Sequence, residues 1–119
     1  MLTVASAVRV FLAVEPVDMR GSFDALAGRV RRLGLAPEDG ALYVFFNRRA
    51  HLVKVLYFDR SGWCVFQKRL VRGTFQIPKV AEGVDRVSVD GASLASLLEG
   101  IDLRAPLRRW YRRERVCES

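Results

Sequence analysis

Two arginines stand side by side in a short polar connector, Arg48 and Arg49, and six more crowd the C-terminal stretch: Arg104, Arg108, Arg109, Arg112, Arg113 and Arg115. Trp110 and Tyr111 interrupt that stretch, and only Glu114 and Glu118 oppose it nearby. Two guanidinium groups on a tight turn can contact adjacent phosphates at little entropic cost. An arginine-rich segment with embedded aromatics can neutralise phosphates while its rings stack on bases. If the stretch is helical, Arg108, Arg109, Arg112 and Arg113 share one side at i, i+4 spacing, where like charges repel until an anion arrives. A solvated turn and a solubilising tail are the plainer readings of the same residues.

Other chemistry finds less support. A two-metal site for phosphoryl transfer needs several converging carboxylates, whereas Asp18, Asp24, Asp59, Asp85, Asp90 and Asp102 are scattered through turns and caps. The single histidine, His51, lies beside Arg48 and Arg49 at a hairpin end, where it is either a general base or a solvated turn residue. Cys64 and Cys117 form neither a metal-ligand spacing nor a disulfide framework. No nucleophile elbow and no phosphate-cradling glycine loop is present. The expectation is a non-enzyme without metal or cofactor.

The elements that must position these residues follow from hydrophobic periodicity. The 119 residues, half of them apolar, fit one domain with a real core. A net charge of +7 and a pI near 10.2 favour a polyanionic partner. The first fourteen residues lack a basic leader and Arg9 interrupts them, so neither export nor membrane spanning is expected, and the protein reads as cytoplasmic. Val8 to Val14 predicts a buried strand ended by Pro16. Met19, Phe23, Leu26, Val30 and Leu33 predict a helix capped by Asp18 and stopped at Gly34. Three strand-like runs follow, Leu42 to Phe46, Leu52 to Phe58 and Trp63 to Leu70, joined by turn-rich connectors as an antiparallel meander. Thr74 to Ile77 is a possible edge strand, Val84 to Val89 alternates weakly, and Asp90 or Ser93 caps a last helix carrying Leu94, Leu97 and Leu98. The fold class is α+β with a mostly antiparallel sheet, as a domain over residues 1–103 and a basic tail over residues 104–119.

Symmetric closure of both hairpin loops pairs Phe46 with His51 and Phe58 with Trp63. One meander face then carries Leu42, Val44, Phe46, Val53, Val55, Tyr57, Cys64 and Phe66, a surface the first helix can cover. The other is mixed: Tyr43, Phe45, Leu52, Lys54, Leu56, Trp63, Val65, Gln67 and Arg69, with Lys54 between Tyr43 and Gln67. That face is either a stacking platform for single-stranded nucleic acid or a surface packed under the C-terminal helix or a second subunit, with Lys54 and Arg69 reaching to its edge.

The segments VRVFLAVEPVDMRGSFDALA, LYVFFNRRAHLVKVLYFDRSGWCVFQKRLVRGTF and LASLLEGIDLRAP occur in order over nearly the whole chain, from about Val8 to Pro106. Together they resemble the TnpB accessory family, the second open reading frame of the sixty-six group of bacterial insertion sequences. This is not the RNA-guided nuclease that shares the TnpB name. The resemblance implies an accessory protein of transposition, encoded beside a DDE-type transposase, with transposon DNA and that transposase as partners and self-association as a further possibility. It brings the family's D-M-R onto Asp18, Met19 and Arg20, its arginine hairpin onto Arg48 and Arg49, its V-K-V onto Val53, Lys54 and Val55, and its K-R-L onto Lys68, Arg69 and Leu70. Two positions depart: Gly21-Ser22 replaces the usual lysine-glycine, and Leu103 the usual aromatic. The nucleic-acid-binding set read from the residues and the resemblance together is Arg48, Arg49, Lys54, Lys68, Arg69, Arg108, Arg109, Trp110, Arg112 and Arg113.

Overall fold

Leu42 to Phe46 is five apolar residues in succession, and all five are buried. A strand without a polar side must be covered on both faces, and the rest of the chain is arranged to do so. The computed structural model describes residues 8–100. Over these the order is β1 (Val10–Ala13), α1 (Phe23–Arg32), β2 (Leu42–Phe46), β3 (Leu52–Asp59), β4 (Gly62–Arg69), β5 (Arg86–Val89) and α2 (Gly91–Glu99). The sheet runs β4-β3-β2-β1-β5. β1 and β2 are parallel, joined through α1, and the other three pairings are antiparallel. The architecture is α+β with a mostly antiparallel sheet, as the sequence predicts.

Each face has its own core and its own helix. On one side Val10, Leu12, Leu42, Val44, Phe46, Val53 and Val55 pack with Leu94 and Leu98 of α2 and with Phe75. On the other, Ala13, Tyr43, Phe45 and Leu56 pack with Leu26, Ala27 and Val30 of α1. The sequence reading therefore assigns α1 to the wrong face: it covers the mixed surface, and α2 covers the apolar one. Side-chain composition does not discriminate the faces of a strand apolar on both sides. The hand of the β-α-β crossover selects the face instead. Tyr43 and Phe45, each 1% exposed, are consequently unavailable for stacking on bases, which removes the aromatic platform.

Further differences concern boundaries. α1 begins at Phe23, not Met19, and its N-cap is Ser22, which makes no side-chain capping bond. Asp18 is not a cap; its carboxylate accepts from the Arg20 backbone N–H and guanidinium, a local bond that competes with helix entry. The stop at Gly34 forms as expected: its φ is 80°, its N–H donates to Arg31 and that of Leu35 to Val30, the paired bonds of a Schellman ending. In the first hairpin Phe46 faces Val53 rather than His51, because Asn47 turns inward and its Oδ1 accepts the N–H groups of His51 and Leu52. The slip is two residues, so every side chain keeps its predicted face. Lys54 consequently faces Phe45, not Tyr43, on one side and Gln67 on the other. The second hairpin pairs Phe58 with Trp63 as predicted. Thr74 to Ile77 forms no strand beyond a single bridge at Thr74; Phe75 instead turns into the core against Phe46, ring centroids 5.7 Å apart. Asp90 caps α2 by accepting from the Ser93 N–H at 2.7 Å. The boundary at residue 104 lies outside the described residues.

Tyr43 keeps its hydroxyl satisfied inside the α1-side core, where its one O–H has two acceptors within reach, the Ala36 carbonyl and the Asp39 carboxylate, which also pairs with Arg9. Burial, then the Asp39 carboxylate, pushes the phenol above its ordinary range. Leu94→Ala, which empties a fully buried site, is expected to cost about 2–5 kcal/mol in urea unfolding. Val65→Ala, at a position 40% exposed, should stay within about 0.5 kcal/mol.

Candidate functional site

With both faces of the central strands covered, polar groups among the described residues converge where strands end. At the end of the sheet formed by the β2–β3 turn, an open groove of about 550 Å³ is lined by Asp18, Arg20, Asn47, Arg48, Arg49, Gln67 and Arg69, over an apolar floor that includes Val17, Met19 and Leu52. Three separate segments supply its charge: the strand-to-helix link after β1, the hairpin turn and the end of β4. Four guanidinium groups face one carboxylate there.

The turn that presents Arg48 and Arg49 is held from several directions. The Ala50 N–H donates to the Asn47 carbonyl, the Phe75 N–H donates to the Ala50 carbonyl at 2.7 Å, and the Leu70 N–H donates to the His51 carbonyl. Both arginines are exposed, and neither has a hydrogen bond or ion pair with another described residue. Arg20 is different. Its Nη2 lies 2.7 Å from Asp18 Oδ2 and its side chain is 91% exposed. That guanidinium, through its side-chain hydrogen bond first, lowers the Asp18 carboxyl to about 2. An exposed pair of this kind is screened by salt and easily exchanged for another partner.

Of the sequence-predicted residues, Arg48, Arg49 and Arg69 meet at this groove. Lys54 and Lys68 do not serve it. Lys54 Nζ donates to the carbonyls of Met19 (2.7 Å) and Gly21 (3.1 Å), so its charge holds the D-M-R link against the sheet. Lys68 points to the opposite face and donates to the Leu98 carbonyl (2.8 Å), capping the end of α2. Each ammonium has a backbone carbonyl as its partner, a tie that sequence spacing does not reveal. Arg108, Arg109, Trp110, Arg112 and Arg113 lie outside the described residues. The sequence reading missed Arg20, which the D-M-R motif contained but which a helix-cap interpretation explained away. It also missed Asn47 and Gln67, for which no sequence signal existed. Gly21, at a departure from the family pattern, sits where a Cβ would meet the Ala25 Cβ at 2.7 Å, so a lysine there requires the link to shift. Among the described residues no group of three or more His, Cys, Asp or Glu is placed to hold a metal ion, and no helix is long and apolar enough to cross a membrane.

A family model described as IS66 Orf2 like protein matches residues 8–108. Two proteins of Sinorhizobium fredii (strain NBRC 101917 / NGR234) are similar over nearly their whole length. The protein y4hO is 43% identical over 111 residues, covering 92% of this chain and 95% of its own. The protein y4jC is 32% identical over 114 residues, covering 92% and 96%. No solved structure matches.

Two outcomes follow from the Lys54 and Asp18 geometry. Lys54→Met, which keeps the apolar stem and removes the ammonium, should cost about 1–3 kcal/mol in chemical denaturation and speed amide exchange over residues 17–22. Arg48→Ala should leave both unchanged. The Asp18 pKa is depressed in the folded state, so its pairing is complete above the ordinary 3.8 and is lost as pH falls through about 2. A carboxyl NMR titration should show that midpoint, and Arg20→Ala should return it towards 3.8.

Proposed function

This chain belongs to the IS66 Orf2-like protein family, and on that premise we propose that it serves DNA transposition as a non-catalytic accessory protein gripping the phosphate backbone of transposon DNA. The observation that carries this reading is the convergence of Arg20, Arg48, Arg49 and Arg69 on one open groove from three segments of the chain. Guanidinium groups are suited to phosphate because their planar donors match its oxygens, and a clamped turn holds them in place before the ligand arrives. A backbone contact of this type reads no bases, so it stabilises and orients a complex while sequence choice falls to another component. The arginines from Arg104 onward extend the same function as a basic tail of the domain. The transposase encoded by the same element supplies the strand chemistry.

A second reading has its own support. Phe23 is 39% exposed and stacks on Trp63, Val65 is 40% exposed on the same side, and β4 is an edge strand of the sheet. An exposed apolar edge of this kind suits docking on the transposase or on a second copy.

Fluorescence anisotropy with transposon-end DNA across a salt series tests the first reading. Affinity should fall steeply with salt, and replacing Arg48, Arg49 and Arg69 together by alanine should reduce the log–log slope by about three. No affinity at low salt would remove it. Co-purification with the transposase that survives nuclease treatment would favour the second.

A further inference from the structure

His51 carries a donor conflict whose resolution names the ligand. Asn47 Oδ1 accepts two backbone N–H groups, from His51 and Leu52, each at 3.0 Å. That fixes the amide: its Nδ2, a donor only, faces His51 Nδ1 at 2.9 Å. Nδ1 must then accept, and the proton of the neutral imidazole sits on Nε2. Nε2 lies 3.2 Å from Arg69 Nη1, which is also a donor only. Two N–H donors therefore point at one another. The opposite tautomer only moves the conflict to Asn47, where relief needs the amide to turn and forfeit both backbone bonds. At Arg69 relief is easy, because that side chain is exposed and its long stem has several rotatable bonds. What both donors lack is an acceptor between them.

We infer that His51 Nε2–H and Arg69 Nη1 form a seat for one phosphate oxygen anion, with Arg48 and Arg49 on the adjoining turn supplying the remaining charge. The inference rests on the phosphate-gripping reading of the groove and makes it specific: His51 is a ligand-touching donor, neither a base nor a bystander, and Asn47 is the positioning residue that sets its tautomer. An anion at this seat converts a donor–donor contact into two charge-assisted hydrogen bonds. It also offers Arg20 a second partner in place of Asp18, since both arginines line the same groove.

The test is titration of the full chain with inorganic phosphate at constant ionic strength, followed by long-range proton–nitrogen NMR of the imidazole. The free protein should show His51 in the Nε2–H form, and phosphate should move that nitrogen. His51→Ala and Arg69→Ala should each weaken phosphate binding about tenfold or more. His51→Gln, whose amide N–H can stand in for Nε2–H, should stay within about threefold of the wild type. An Nδ1–H tautomer in the free protein, or equal affinity for His51→Ala and wild type, overturns the seat. Transposon-end DNA run in parallel separates the two readings. DNA binding that is lost in Arg48→Ala/Arg49→Ala but unaffected in His51→Ala overturns the seat and leaves the groove. Phosphate binding as described without any DNA affinity leaves the seat and overturns the nucleic-acid role.

Discussion

Everything in this structure depends on the need to bury β2 from both sides. Five successive apolar residues at the centre of a five-stranded sheet leave no face for solvent, and the domain answers with one helix per face. α1 arrives as the crossover between the two parallel strands; α2 is delivered by β5, which pairs with β1 and closes that side. The central strands then have neither broad surface open to a ligand. Among the described residues, Arg48 and Arg49, which have no ion pair, stand at one strand end beside Arg20 and Arg69.

A second theme is the division of labour among cations. Lys54, Lys68 and Arg86 each end on a backbone carbonyl of a segment far away in sequence: Met19 and Gly21, Leu98, and Leu33. Two of those carbonyls lie at the ends of the two helices, where the last C=O groups have no partner within the helix and the dipole favours positive charge. These ties secure both coverings to the sheet. A basic composition is therefore only partly a statement about partners, because some of the charge is consumed in holding the domain together. Arg48 and Arg49, by contrast, reach into solvent from a turn held through the backbone of Asn47, Ala50 and His51.

Much of the fold was legible in the chain because local signals and tertiary demands agree. Gly34 and Gly100 stop helices where periodicity runs out, Asp90 caps where a cap is expected, and the β3–β4 hairpin closes on Phe58 and Trp63. Apart from the face taken by α1, which the crossover sets, the errors share a cause: a side chain finds a partner other than the expected one. Asp18 takes Arg20 instead of a helix N-terminus, Asn47 takes two amides of its own turn and shifts the register, and Phe75 leaves an expected strand to fill the core beneath that turn. The groove was half legible for the same reason. Arg48 and Arg49 declare themselves as neighbours, whereas Arg20 and Arg69 reach them only through a parallel crossover and a meander.

Ala50 has a consequence of its own. It holds a φ of 58°, a left-handed conformation that costs an alanine more than a glycine, and the Phe75 amide grips its carbonyl. Because an alanine samples fewer conformations than a glycine before folding and its carbonyl is pinned afterwards, the loop loses its freedom once, when the domain forms. On the proposed reading, an anion captured at this turn would demand almost no further loss of backbone entropy, leaving charge and desolvation rather than loop closure to govern association.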